Sequence, residues 1–159
     1  MLRFLLLTVV LDTMGLGLLI PVTPKLILAL TGEGLTRAAI YGGWLTATFA
    51  ITQLFAGPLL GALSDRYGRR PVLLGSLSAF GLSYLLMAGA RSLLWLFVAQ
   101  TLTGLFGATP STAGAYVADI STPAERTRRF GSLAAAFGTG FIVGPALGGL
   151  LVALSLIHI

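Results

Sequence analysis

From Ile40 to Ala90 the chain reads IYGGWLTATFAITQLFAGPLLGALSDRYGRRPVLLGSLSAFGLSYLLMAGA. Two apolar runs, Ile40 to Leu63 and Pro71 to Ala90, flank a single charged segment, Ser64 to Arg70. Each run has roughly the 20 residues needed to cross about 30 Å of hydrocarbon. The stretch therefore predicts two transmembrane helices joined by a short charged loop.

Three further spans follow on either side of it: Leu2 to Val22, Leu93 to Val117 and Phe130 to Leu154. The breaks between the five spans are Thr23 to Ala39, Ser64 to Arg70, Arg91-Ser92 and Ala118 to Arg129, and they hold nearly all the charge. The whole chain is 56% hydrophobic and 9% charged, against about 25% charged in soluble domains, so no water-soluble surface can be built from it. The expected fold is all-α, a polytopic transmembrane helical bundle. Alternating the breaks between two sides places Arg3, Arg66, Arg69, Arg70, Arg126, Arg128 and Arg129 on one side, with Lys25, Arg37 and Arg91 on the other. The positive-inside rule then makes the amino terminus cytoplasmic.

This asymmetry accounts for the net charge of +5 without nucleic acid, because the cations sit in short loops and not on an aromatic-studded face. Cysteine is absent, which excludes a disulfide framework and a thiolate metal site. His158 has no neighbours with which to bind a metal. No paired carboxylates, Ser-His-Asp set or ligand cluster occurs, so neither an enzyme nor a resident cofactor is expected. Leu2 to Leu11 behind Arg3 has the form of a secretory signal, but the apolar character continues past Asp12 to Ile20 and no A-x-A site follows. A retained first helix is the reading we adopt.

The 21 glycines are concentrated inside the apolar spans, where they serve as points of close helix approach. Gly140, Gly144 and Gly148 recur every four residues in the fifth span and form one groove; Gly104, Gly107 and Ser111 do the same in the fourth. Plain helix packing explains both stripes. Gly138-Thr-Gly140 lacks the G-x-G-x-x-G spacing of a nucleotide-binding turn and follows a helix instead of a strand.

Two features carry functional chemistry. Asp12 lies in the middle of the first span, where an ionised carboxylate is expensive and usually faces a cavity or a partner; it is a candidate to take up and release a proton. Gly61-Ala-Leu-Ser-Asp65-Arg66-Tyr-Gly68-Arg69-Arg70-Pro71 sets Asp65 just before a helix whose Pro71 suits the first turn. There its charge can meet the positive helix end and the neighbouring arginines.

At these residues the sequence resembles the major facilitator superfamily, and within it the twelve-helix drug/proton antiporters that include the tetracycline efflux proteins. Leu11-Asp12-Thr-Met-Gly15-Leu-Gly17-Leu-Leu-Ile-Pro21-Val-Thr-Pro24 is similar to the first-helix motif of that group. Gly61 to Arg70 resembles the superfamily loop signature G-x-L-A-D-R-x-G-R-K, with Ser64 and Arg70 as variants. Gly131, Gly140, Gly144-Pro145 and Gly148-Gly149 resemble the fifth-helix antiporter motif. The resemblance implies alternating access by two six-helix halves built from three-helix repeats. It implies a cytoplasmic gate held by Gly61, Asp65, Arg66, Gly68, Arg69 and Arg70, and a bend shaped by the fifth-helix glycines and Pro145 against a helix of the other half. It implies proton and substrate coupling through Asp12, with Gln53 and Gln100 hydrogen-bonding in the cavity. The setting it implies is a bacterial inner membrane, and the partners are a small drug-like substrate, protons, the lipid bilayer and a missing C-terminal half. Ser83 stands where the tetracycline efflux group typically has an acidic residue, and Gln100 where it typically has arginine, so drug export is implied without tetracycline being fixed as the drug.

Export in exchange for protons is the leading expectation; proton-coupled nutrient uptake and a non-transporting membrane fragment are the alternatives. Residues 1–154 are expected to be five of the six helices of an N-terminal half. The ending Leu154-Ser-Leu-Ile-His158-Ile159 resembles translated adapter sequence, so 155–159 are expected to be a non-native tail.

Overall fold

Helices account for nearly all of the computed structural model, which describes residues 2–107 and 109–157. Among these residues there are six: α1 (Leu2–Thr31), α2 (Leu35–Tyr67), α3 (Arg69–Ala88), α4 (Leu93–Leu105), α5 (Thr109–Ile120) and α6 (Pro123–Ile157). There are no strands among them. Counting α4 and α5 together, five spans are long and apolar enough to cross a membrane, as expected from sequence. His158 lies outside the described residues.

The helices outrun the apolar spans, and four expectations change; one is the predicted break Ala118 to Arg129, which shrinks to Ser121 and Thr122 between α5 and α6. The predicted break Thr23 to Ala39 shrinks to Gly32–Gly34, because α1 continues through Pro21 and Pro24. Prolines inside apolar helices are tolerated where neighbouring groups satisfy the freed carbonyls; Gly32, at φ +65°, supplies the left-handed residue that ends the helix. The charged loop Ser64 to Arg70 is helical except at Gly68, whose φ of +94° and ψ of 157° suit only glycine. The fourth span is two helices, interrupted at Phe106 and Gly107.

Two compact units divide the chain, Met1–Leu26 with Gly114–Ile159 and Ile27–Ala113. The second packs α2, α3 and α4 together around Leu45, Ala56, Leu60, Val72, Phe80, Met87 and Leu96. Phe80 and Tyr84 stack with ring centroids 6.3 Å apart. The first unit pairs α1 with α6. Large apolar side chains such as Phe4, Ile20, Trp44, Phe55, Leu85, Leu94, Ile142 and Leu150 stand exposed. A soluble protein would not present so continuous an apolar exterior, whereas a bilayer solvates it.

Candidate functional site

In the first unit the seam between α1 and α6 positions the first-span carboxylate. Leu133, Ala136, Gly140, Gly144 and Gly148 are buried at three- and four-residue intervals along α6. The three glycines meet α1 in parallel register. A Cβ added at Gly140 would lie 2.8 Å from the Thr13 Cβ, one at Gly144 would lie 2.9 Å from the Gly17 Cα, and one at Gly148 would lie 2.9 Å from the Pro21 Cγ. Seen from α1, a Cβ at Gly17 would lie 2.8 Å from the Pro145 Cδ. The groove expected to meet a helix of another half is thus filled by α1. The reason is steric: Gly17 and the Gly140, Gly144, Gly148 row are small on both sides, so the two backbones can touch. Gly131 and Gly149 have nothing within 4 Å of an added Cβ, so the fifth-helix motif is divided between two faces of α6.

Asp12 is 2% exposed, next to Thr13 on this seam. The Thr13 hydroxyl donates back to the carbonyls of Val9 and Val10, at 2.8 and 3.3 Å.

At the start of α6, Thr122-Pro-Ala-Glu125 forms a capping turn. The Thr122 hydroxyl donates to Glu125 Oε2 at 3.0 Å. Arg129 reaches Glu125 at 3.1 Å and donates to the Ile120 carbonyl at the end of α5, at 2.7 Å. The Thr122 hydrogen bond first, and then the charge of Arg129, hold the Glu125 carboxyl below its usual range.

In the second unit the loop signature makes a bent, charge-paired junction. Asp65 sits in the last turn of α2, where the helix dipole opposes a negative charge, and pairs across Gly68 with Arg69 at 2.5 Å. Arg69 also donates to the Ser64 hydroxyl at 2.6 Å, and Ser64 donates to the Gly61 carbonyl at 2.8 Å. Gly61, Ser64, Asp65 and Arg69 are thereby brought together. Arg66 lies over the Tyr67 ring at 5.5 Å and Arg70 is exposed; these two do not join the cluster.

Gln53 and Gln100 also belong to the second unit. Gln53 donates to the Gly107 carbonyl at 2.8 Å, a bond that sequence reading did not foresee. Gln100 is half-buried. Ser83 is fully buried, its hydroxyl donating to the Ala79 carbonyl of its own helix at 2.9 Å.

Comparison with known proteins decides the family. The model of the Major Facilitator Superfamily matches residues 5–157. The chain belongs to the Major Facilitator Superfamily. Among superfamily relatives, it is 45% identical over 149 residues to the class C tetracycline resistance protein of Escherichia coli, which covers 94% of this chain and 37% of that protein. It is 37% identical to multidrug resistance protein 1 of Bacillus subtilis, over 87% of this chain and 34% of that one. The crystal structure of a human organic anion transporter superposes with a TM-score of 0.79 at 27% identity, over 93% of this chain and 40% of that chain. The chain thus spans little more than a third of the length of these curated relatives. Superfamily membership and five spans make it a multi-pass membrane protein.

Proposed function

We propose that this chain is the leading part of a proton-coupled exporter of a small drug-like molecule. One observation carries the reading: Asp12 is a carboxylate buried in the middle of an apolar helix, in a superfamily chain whose relatives are resistance proteins. A group so placed is costly to keep charged, and proton uptake removes the cost. Protons and substrate are the partners on this reading, and helices beyond residue 154 complete the bundle. Gln100 supplies a neutral hydrogen-bonding group to the coupling path, and Gln53 supports that path through the backbone it holds. The Asp65–Arg69 junction acts as a gate, and Gly131 with Gly149 offers α6's open face to a helix of a second half.

The parallel register of α1 and α6 supports the sidedness we propose. Since Thr13 is level with Gly140, Arg3 stands at the same end of the first unit as Arg126, Arg128 and Arg129. That end is assigned to the cytoplasm, and the membrane to a bacterial inner membrane.

The test is transport by the intact protein in proteoliposomes under an imposed pH gradient. Wild type should drive a drug against its gradient, and Asp12→Asn should abolish this while reaching the membrane in normal amount, since an amide keeps the shape and cannot carry the proton. Undiminished proton-driven export by Asp12→Asn would remove Asp12 from the mechanism. Uptake coupled to protons, in place of export, would replace the reading with nutrient import.

A further inference from the structure

The interruption of the fourth span has a local cause. Pro110 has no N–H for the carbonyl four residues back, that of Phe106, and in an unbroken helix its ring would crowd that carbonyl. A break inside an apolar helix strands backbone groups where water cannot satisfy them. The carbonyl of Gly107, in an unbroken helix the acceptor for the N–H of residue 111, accepts from Gln53 Nε2. Gly107 is buried, and its missing side chain permits the approach, because a Cβ there would lie 2.8 Å from the same Nε2. One turn earlier Gly104 brings the α4 backbone against α2, where a Cβ would lie 2.6 Å from the Phe49 carbonyl oxygen. Thr52 turns its hydroxyl back to the carbonyls of Thr48 and Phe49, at 2.8 and 3.0 Å, whereas Gln53 reaches across.

We propose that Gln53 is a positioning residue: it clasps the α4–α5 break to α2 through the Gly107 carbonyl and so fixes how the fourth span bends. Its consequence for turnover rests on the export reading; the clasp does not. Gln53 contributes geometry to the coupling path and no contact with the transported molecule.

Two readouts on the intact protein test this: thermal midpoint in mild detergent, and export in proteoliposomes. Gln53→Leu keeps length and loses the donor. It should lower the midpoint by about 2–4 °C, and slow turnover about tenfold with KM within about twofold of wild type. Gln53→Asn, one methylene too short to reach, should lose as much. Pro110→Ala restores an N–H opposite Phe106, so the break is no longer forced. In that background Gln53→Leu should shift the midpoint by about half or less of its effect in wild type. An unchanged midpoint, an equal loss in both backgrounds, or a raised KM at normal turnover would overturn the clasp. Should Pro110→Ala not fold, Gln53→Asn decides, since wild-type behaviour of that variant also overturns it. Failure of wild type to transport would refute export while leaving the thermal comparison in force.

Discussion

Gly144→Ala perturbs the seam of α1 and α6 where backbone meets backbone. The new Cβ would lie 2.9 Å from the Gly17 Cα and 3.0 Å from the Gly17 carbonyl carbon, while carbon atoms pack best at about 3.5–4.0 Å. Neither obstacle is the end of a flexible side chain. Both are backbone, so the helices must separate by roughly half an ångström or more, and the approaches at Gly140 and Gly148 loosen with them. Overpacking of this kind costs about 1–3 kcal/mol, and the stiffness of the obstacle argues for the upper part of that range. Against it stands the better helix propensity of alanine, at most about 1 kcal/mol. The net expectation is a loss of about 2 kcal/mol. Gly149→Ala is the matched control five residues on, with nothing within 4 Å of its Cβ; it should be neutral or gain up to about 1 kcal/mol. Reversible unfolding of the purified protein in mixed detergent micelles, followed by far-UV circular dichroism, measures both. Equal stabilities for the two variants would refute the argument that backbone approach holds this unit together. Reciprocal strain is expected at Gly17→Ala, which meets the Pro145 ring.

Two other perturbations test the charged ends. Asp65→Asn should slow turnover far more than it weakens drug binding, since it biases the equilibrium between access states. Its effect on folding should stay within about 1 kcal/mol because the Asp65–Arg69 pair is largely exposed on the Asp65 side; normal turnover with lost binding would contradict the gate. Acidification should loosen the capping turn of α6. The Glu125 carboxyl is held below its usual value of 4.5, so its contribution is fully present above that value and is lost as pH falls through the lower, folded one. The protection of the Arg126 amide against hydrogen exchange, relative to its intrinsic rate, should fall over that window in wild type and not in Glu125→Gln; this amide donates to the Thr122 carbonyl at 3.0 Å.

The spans were legible because hydropathy is additive along the chain, and a five-span count survives errors of several residues at each end. Helix ends were not, because a helix need not stop where the hydrocarbon does: Thr23, Lys25 and Thr31 are polar yet helical. What ends α1 and α2 is a backbone conformation at Gly32 and Gly68, and composition windows average over single glycines. The break in the fourth span carries a signal, Pro110 four residues after Phe106, but hydropathy hides it because the surrounding residues stay apolar. The glycine row of the fifth span was read correctly as a groove, but its occupant was not. Gly17 was visible in the first span, yet a small residue says that something approaches and not which helix does so.

That occupant bears on how a proton at Asp12 could move a helix. In a bilayer, helices gain little from the hydrophobic effect on meeting one another, so a seam holds by packing and is sensitive to small displacements. Asp12 is one residue from Thr13, which faces Gly140, and less than two turns from Gly17, which faces Gly144 and Pro145. Any rotation of α1 that turns Asp12 toward or away from a water-filled path carries Thr13 and Gly17 with it. The rotation would drive their atoms into the α6 backbone, where there is no slack. On the export reading, α1 and α6 must therefore move as one body when Asp12 changes its protonation state. Compliance has to be found elsewhere in the chain, and the clasped break between α4 and α5 is a place where the backbone is already interrupted.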